Sequence, residues 1–237
     1  TLILTLFPYT TLFRSVFNGT KKLLDYARTN EIQSVLLASS LEVYGTITND
    51  SKPLTEDAQG FLNPMDVRSS YPMAKRAAET LCHNYAKEYG THTKVARLAQ
   101  TFGAGVTKND NRVFAQFARS IINGEDIIMH TKGELCRCYC YTTDAIAAVL
   151  YILLRGKDGE AYNVANETTY ISIKDMATFL AETFNPKVKV VVELKENMGY
   201  SPTTKLRLST NKIQQLGWTP HYNLQEMFHR LIESLKQ

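Results

Sequence analysis

Ser34-Val-Leu-Leu-Ala-Ser-Ser40 is the stretch on which the reading of this chain turns. It is short, continuously apolar in its middle and followed by turn-forming residues, the pattern of a buried strand. In an open α/β sheet, ligands sit beyond the carboxyl ends of the strands, so Ser40 stands in a place suited to chemistry. Before it, Thr20 to Arg28 reads as a helix with Leu23, Leu24 and Ala27 on one face. After it, a polar, Pro-bearing loop from Gly45 to Asp66 leads to a long helix from Ser69 to Tyr89, and Thr93 to Ala99 reads as a second buried strand. The expected fold class is α/β, these elements forming the second half of a doubly wound parallel sheet.

Beyond Gly103 the rhythm becomes irregular. Helices are expected over Val113 to Asn123, Thr143 to Leu154, Ser172 to Phe184, Ser209 to Leu216 and Leu224 to Leu235. Strands are expected near Ile127, over Arg137 to Tyr141 and over Ala161 to Val164. This pattern predicts a smaller α/β lobe. The expected division is a partial dinucleotide-binding domain over 16–103 and a mainly substrate-binding lobe over 104–237.

At 237 residues, 44% hydrophobic and 21% charged, the chain can bury a substantial core without metal or disulfides. The net charge of +4 is scattered, with no basic block or helix face that would track a phosphate backbone, which argues against a nucleic-acid partner. Three of the four cysteines, Cys136, Cys138 and Cys140, crowd together, so with Cys82 they lay out no disulfide framework and fit a reducing, cytoplasmic setting. Alternate spacing on a strand puts the three on one face, but no fourth ligand stands at finger-like spacing, and no metal is expected.

Thr1 to Phe13 is apolar but lacks a basic leading region and is interrupted by Pro8, which does not support a signal peptide. No later run is long enough to span a membrane. Thr5-Leu-Phe-Pro-Tyr-Thr-Thr-Leu-Phe-Arg-Ser15 resembles the translation of a sequencing-library adapter. The expectation is therefore that 1–15 is a non-native segment and that the natural sequence resumes near Val16, its own N-terminus lost.

Tyr71 and Lys75 stand one helical turn apart and so project from the same face. An ammonium near a phenol favours the phenolate, which suits a tyrosine that must take a proton from a hydroxyl; Ser40 can hydrogen-bond the same oxygen. The spacing recurs at Tyr170 and Lys174, running from a strand into a helix start, but no serine-ended strand precedes that pair. His130 has no acidic partner or second histidine at helical or strand spacing and reads as structural.

Ala38-Ser-Ser-Leu-Glu-Val-Tyr-Gly45, Tyr71-Pro-Met-Ala-Lys75, Arg97-Leu-Ala-Gln-Thr-Phe-Gly103, the Arg137-x-Tyr-x-Tyr141 run followed by Asp144, and Leu216-Gly-Trp218 resemble the extended short-chain dehydrogenase/reductases that modify nucleotide sugars. The resemblance covers Val16 to the C-terminus. It implies the C-terminal half of a Rossmann-type sheet, a substrate lobe, NAD as cofactor, a nucleotide-sugar substrate and a homodimer. By the same resemblance Tyr71 is the general base, Lys75 orients it and contacts the nicotinamide ribose, and Ser40 positions a sugar hydroxyl that is oxidised transiently at C4. Ala38 and Ala99 join Tyr71 and Lys75 at the cofactor, and Gln100, Arg112, Val113 and Arg137 face the substrate, Arg137 toward its diphosphate. Gln100 departs from the family's frequent Asn. The family's glycine-rich phosphate loop has no counterpart in the sequence.

Arg137 also admits a plainer reading, a solvated arginine on a strand face shared with Tyr139 and Tyr141 and opposite the three cysteines. Glu42 discriminates between reactions. Dehydratases of the family place an Asp-Glu pair after the Ser/Thr, whereas here Leu41 precedes Glu42, so a 4,6-elimination lacks its usual acid. The arrangement, with Asn109-Asp-Asn-Arg-Val113, is closest to UDP-glucuronate decarboxylases, and epimerases also carry such a Glu. A turn-fixing role for Glu42, a 4,6-dehydratase, a small-alcohol dehydrogenase and a non-catalytic dinucleotide-sensing module are the competing readings.

Overall fold

The computed structural model describes residues 9–195 and 203–237. Along the chain, helix α1 (Tyr9–Thr29) precedes strand β1 (Val35–Ser40), and helix α2 (Ser70–Tyr89) crosses to β2 (Thr93–Leu98). Then come β3 (Gln100–Phe102), α3 (Val113–Asn123), β4 (Ile127–Met129), β5 (Cys136–Tyr141), α4 (Thr142–Arg155) and β6 (Glu160–Val164). The chain closes with β7 (Asn166–Ser172), α5 (Ile173–Phe184), β8 (Val190–Val192), β9 (Lys205–Leu206), α6 (Asn211–Gln214) and α7 (Leu224–Lys236). Among the described residues no helix is long and apolar enough to cross a membrane.

β1, β2 and β6 form a parallel sheet in that order, with Ala38 opposite Ala96 and Ala96 opposite Tyr162. Alternation along these strands sorts the side chains to two faces. Val35, Leu37, Val95 and Ala161 pack with Leu24 of α1 and Cys82 and Tyr85 of α2. Leu36, Ala96, Leu98, Tyr162 and Val164 pack with Ala145, Ala148 and Ile152 of α4. Helices thus cover both faces, as a parallel sheet requires. At Ala99, whose N–H donates to the Val164 carbonyl at 2.9 Å, the chain leaves β2 and passes into a second sheet. There β5 pairs with β3 and β9 in parallel and with β7 antiparallel. Helices α3, α5 and α7 close over this sheet around Phe102, Phe114, Met176 and Phe228.

Three expectations need adjustment. Helix α1 starts at Tyr9 rather than Thr20, because Leu12, Phe13, Val16 and Phe17 continue an amphipathic pattern with no proline after Pro8. Of the expected non-native segment, residues 1–8 lie outside the described residues, and Tyr9–Ser15 form the first turns of α1. Strands β3, β8 and β9 were not expected, being two or three residues long. Helix α6 is shorter than Ser209 to Leu216, ending ahead of Gly217, whose φ of 95° suits a left-handed position.

Two motifs serve the frame. Trp218, 1% exposed, donates from Nε1 to the Asp144 carbonyl at 3.1 Å, while Asp144 Oδ2 accepts from the backbone N–H groups of His221 and Tyr222. Together they pin the Leu216-Gly-Trp218 segment to the start of α4. Asn163 on β6 ties the two sheets to their loops. Fully buried, it accepts from the Tyr44 hydroxyl at 2.7 Å and donates to the Leu54 and Ser209 carbonyls at 3.0 Å each. Asn163→Leu keeps the volume but strands those partners without water. It is expected to destabilise the chain by about 2–4 kcal/mol, read as a lowered urea midpoint.

Candidate active site

The site is built where β1 ends. Ser40 is extended and leads into a 3₁₀ turn over Leu41–Tyr44, its hydroxyl accepting from the Glu42 N–H at 3.2 Å. Helix α2 starts beyond the loop and sets Tyr71, in its first turn, close enough to Ser40 for the serine to bear on the phenol's acidity. Lys75 donates from Nζ to the Ala38 carbonyl at 2.7 Å, and its ammonium lies 5.7 Å from the centroid of the Tyr71 ring. The Glu42 carboxylate acts electrostatically on both Tyr71 and Arg137. Ser40, Tyr71 and Lys75 therefore meet with Ala38 at one strand end, the backbone of Glu42 forming the turn that follows.

The electrostatics differ from the simple expectation for a phenol beside a lysine. The Tyr71 phenol is held above its ordinary pKa, because burial outweighs the influence of Ser40 and Glu42 adds negative charge nearby. Burial pushes the Lys75 ammonium below its ordinary value, with Glu79 opposing that shift. Lys75 makes its observed hydrogen bond to the Ala38 carbonyl rather than to the phenol.

Arg137 is 8% exposed, and its Nη1 is buried without a hydrogen-bond partner among the described residues, so the solvated-arginine reading does not hold. Burial pushes its pKa down and Glu42 pulls it back. The pairing of β5 with β7 shifts register between Arg137 and Tyr139, which breaks simple alternation there. Cys138 packs around Leu41 and Cys140 around Ala96, whereas Tyr139 and Tyr141 pack with Phe102 and Phe228. Burial raises all three cysteine thiols of the strand, Cys138 to about 11. Among the described residues no group of three or more His, Cys, Asp or Glu side chains is placed to hold a metal ion.

The remaining candidates sit at other places. Ala99 and Gln100 lie where β2 gives way to β3. Arg112 precedes α3, paired with Asp110 at 2.6 Å and stacked over Phe114 at 4.7 Å, with Val113 opening the helix. Tyr170, on β7, donates to Asp50 at 2.8 Å, a bond that together with burial raises its pKa and holds it protonated. His130 meets only the Glu193 carbonyl and the Lys195 ammonium. A cavity of about 520 Å³ lined by Glu56, Glu79, His83, Arg97, Glu160 and Lys212 includes none of Ser40, Tyr71 and Lys75, so chemistry rather than volume marks the site. Glu79, which borders both, was not singled out from the sequence, although its place one helical turn after Lys75 was the available signal.

The donor set at the end of β1, a partly buried ammonium beside a phenol and a serine, fits the ribose and nicotinamide end of a dinucleotide. The pyrophosphate end has no counterpart, since no Gly-x-Gly-x-x-Gly run occurs in the 237 residues.

Comparison with known proteins converges on one group. UDP-glucuronic acid decarboxylases 5 and 6 of Arabidopsis thaliana are 30% and 31% identical to this chain over 192 and 194 residues, each match covering 81% of the chain. The chain spans 54% of the length of these relatives. Among solved structures, the UDP-glucose 4-epimerase of Thermotoga maritima superposes with a TM-score of 0.80 at 22% identity, over 94% of this chain and 70% of that one. The dTDP-glucose 4,6-dehydratase of Bacillus anthracis gives 0.78 at 16% identity, over 97% and 70%. Both share the fold. Residues 9–165 match the model of the NAD dependent epimerase/dehydratase family, and the chain belongs to that family.

Proposed function

We propose that the protein modifies a nucleotide sugar through transient oxidation at C4, as an epimerase or decarboxylase rather than a 4,6-dehydratase. The observation that carries this is the meeting of Tyr71 and Lys75 with Ser40 at the end of β1, where Lys75 is fastened to the Ala38 carbonyl beside the Tyr71 ring. Once ionised, Tyr71 takes the proton of the C4 hydroxyl as the phenolate, a form that burial disfavours and that the positive charge of Lys75 close to the ring favours, while Ser40 orients that hydroxyl. Tyr71 and Lys75 would hold the ribose and nicotinamide end of NAD, which would supply reversible hydride acceptance at C4. The buried guanidinium of Arg137, with an N–H unpaired among the described residues, suits a phosphate oxygen of the nucleotide. Leu41 is 2% exposed within an apolar cluster, so the position that would carry an elimination acid offers none. A C4 ketone beside the carboxylate of a uronic acid is a β-keto acid. It loses carbon dioxide by cleavage of C5–C6, the electron pair passing to the ketone oxygen, without needing that acid. The likeness to the two decarboxylases favours this route.

Three outcomes test the proposal. In a protein carrying a complete dinucleotide-binding half, incubation with NAD and UDP-glucuronate is expected to yield a pentose nucleotide or the C4 epimer, identified by mass and NMR. A 4-keto-6-deoxy product from dTDP-glucose as the main activity would overturn the reading of Leu41 and Glu42. In the same protein, Tyr71→Phe is expected to lower kcat by about 100- to 10,000-fold and Tyr170→Phe to leave it nearly unchanged. Equal losses would show that the wrong tyrosine had been chosen. The 237-residue chain itself is expected to show no micromolar binding of NAD by calorimetric titration, because it holds no glycine-rich turn for the pyrophosphate.

A further inference from the structure

Tyr71, Lys75 and Glu79 follow one another at single-turn intervals on α2 and so form one stripe. The first two reach the end of β1. The third points into the sheet just beneath them, where its side chain is 11% exposed. Ser39 Oγ donates to Glu79 Oε1 at 2.5 Å. Arg97, the residue directly opposite Ser39 on β2, grips the same carboxylate through Nε at 3.1 and 3.2 Å and through Nη2 at 2.7 Å. Arg97 is in turn fixed by the Tyr44 hydroxyl at 3.1 Å and the Glu56 carbonyl at 2.6 Å, and Asn163 holds Tyr44.

The position of Ser39 gives this network its meaning. It lies between Ala38, whose carbonyl receives Lys75, and Ser40, whose hydroxyl meets Tyr71. A buried ion pair is weak evidence for stability, since apolar residues of equal volume often serve as well. What this one does is geometric: it fastens α2 to β1 at the single residue flanked by both contact points.

We propose that Glu79 is a positioning residue for the Tyr71–Lys75 pair, setting the height of α2 on β1 through Ser39 and Arg97. This rests on the roles proposed for Tyr71 and Lys75. The groups around Lys75 are consistent with it. From its own helix come Tyr71, Arg76 and Glu79; from β1 the Ala38 carbonyl; from the following turn Glu42, which acts on Tyr71; and from β2 Arg97, already neutralised by Glu79. Burial disfavours the ammonium and Glu79 is the charge that opposes it.

The test reads Lys75 directly in the 237-residue chain and needs no turnover, so its result is separable from that of Tyr71→Phe. The lysine side-chain carbons are labelled, the Lys75 resonance is assigned through Lys75→Arg, and its titration is followed by NMR. Glu79→Gln keeps an acceptor for Ser39 but removes the charge. It is expected to lower the Lys75 midpoint and to preserve a cooperative thermal transition. Glu79→Asp is expected to restore most of the midpoint. An unchanged Lys75 midpoint in a cooperatively melting Glu79→Gln protein would overturn the proposal and leave Glu79 a structural ion pair. If Glu79→Gln fails to fold, Ser39→Ala decides. Loss of its single bond is expected to loosen the Lys75–Ala38 contact and speed acetylation of Lys75 by acetic anhydride several-fold, and an unaltered rate would overturn the proposal.

Discussion

The carboxylate of Glu79, held by Ser39 from one strand and by Arg97 from the next, is the ionic contact that fixes α2 against the parallel sheet, beside the hydrogen bond from Thr93 to the Cys82 carbonyl. Apolar packing of Cys82 and Tyr85 on Val95 brings the helix to the sheet but tolerates sliding, because dispersion contacts are nondirectional. Hydrogen bonds to a buried charge do not. A slide of the helix would leave Glu79 or Arg97 unpaired out of water, a penalty of several kcal/mol. The spacing of Tyr71 from Ser40 and of Lys75 from Ala38 is inherited from that constraint.

The same layer explains why both ends of the network matter. Arg97 leans on Tyr44, whose phenol is pushed up to about 12 by burial and so stays a donor to Asn163 throughout the neutral range. Asn163 sits on β6, which the chain reaches only after forming β5 and α4. The strand end that carries Ser40 is thus stiffened by residues from β2, β6 and the loop at Glu56, contacts separated by more than a hundred positions in the chain.

Periodicity was a good guide wherever an element was long enough to repeat. Helices α2, α3, α4 and α7 lie within a few residues of where the apolar spacing puts them, and β1 and β2 are found at the two apolar runs. Strands β3, β8 and β9 escaped because two or three residues carry no period; they exist only because β5 and β4 offer partners. At the site, the convergence of Ser40, Tyr71 and Lys75 was legible from strand end and helical spacing. The sign of the effect on Tyr71 was not, since it depends on burial. Glu79 stayed hidden for a related reason: one turn from Lys75 it reads as an ordinary exposed helix position until Ser39 and Arg97 are known to lie beneath it.

The motifs that mark the family divide by what they touch. Trp218 and Asp144 hold the C-terminal segment to α4, Arg97 braces the sheet, and Ala99 marks the passage between sheets. These contacts build a frame in which a phenol, a serine and an ammonium meet, and the fold is shared by proteins named as epimerases and as dehydratases. The choice among reactions must therefore ride on the few side chains that line the strand end without supporting it. Leu41 is committed to the core and cannot give a proton. Glu42 and Arg137 remain, a carboxylate and a buried guanidinium acting on each other across the site.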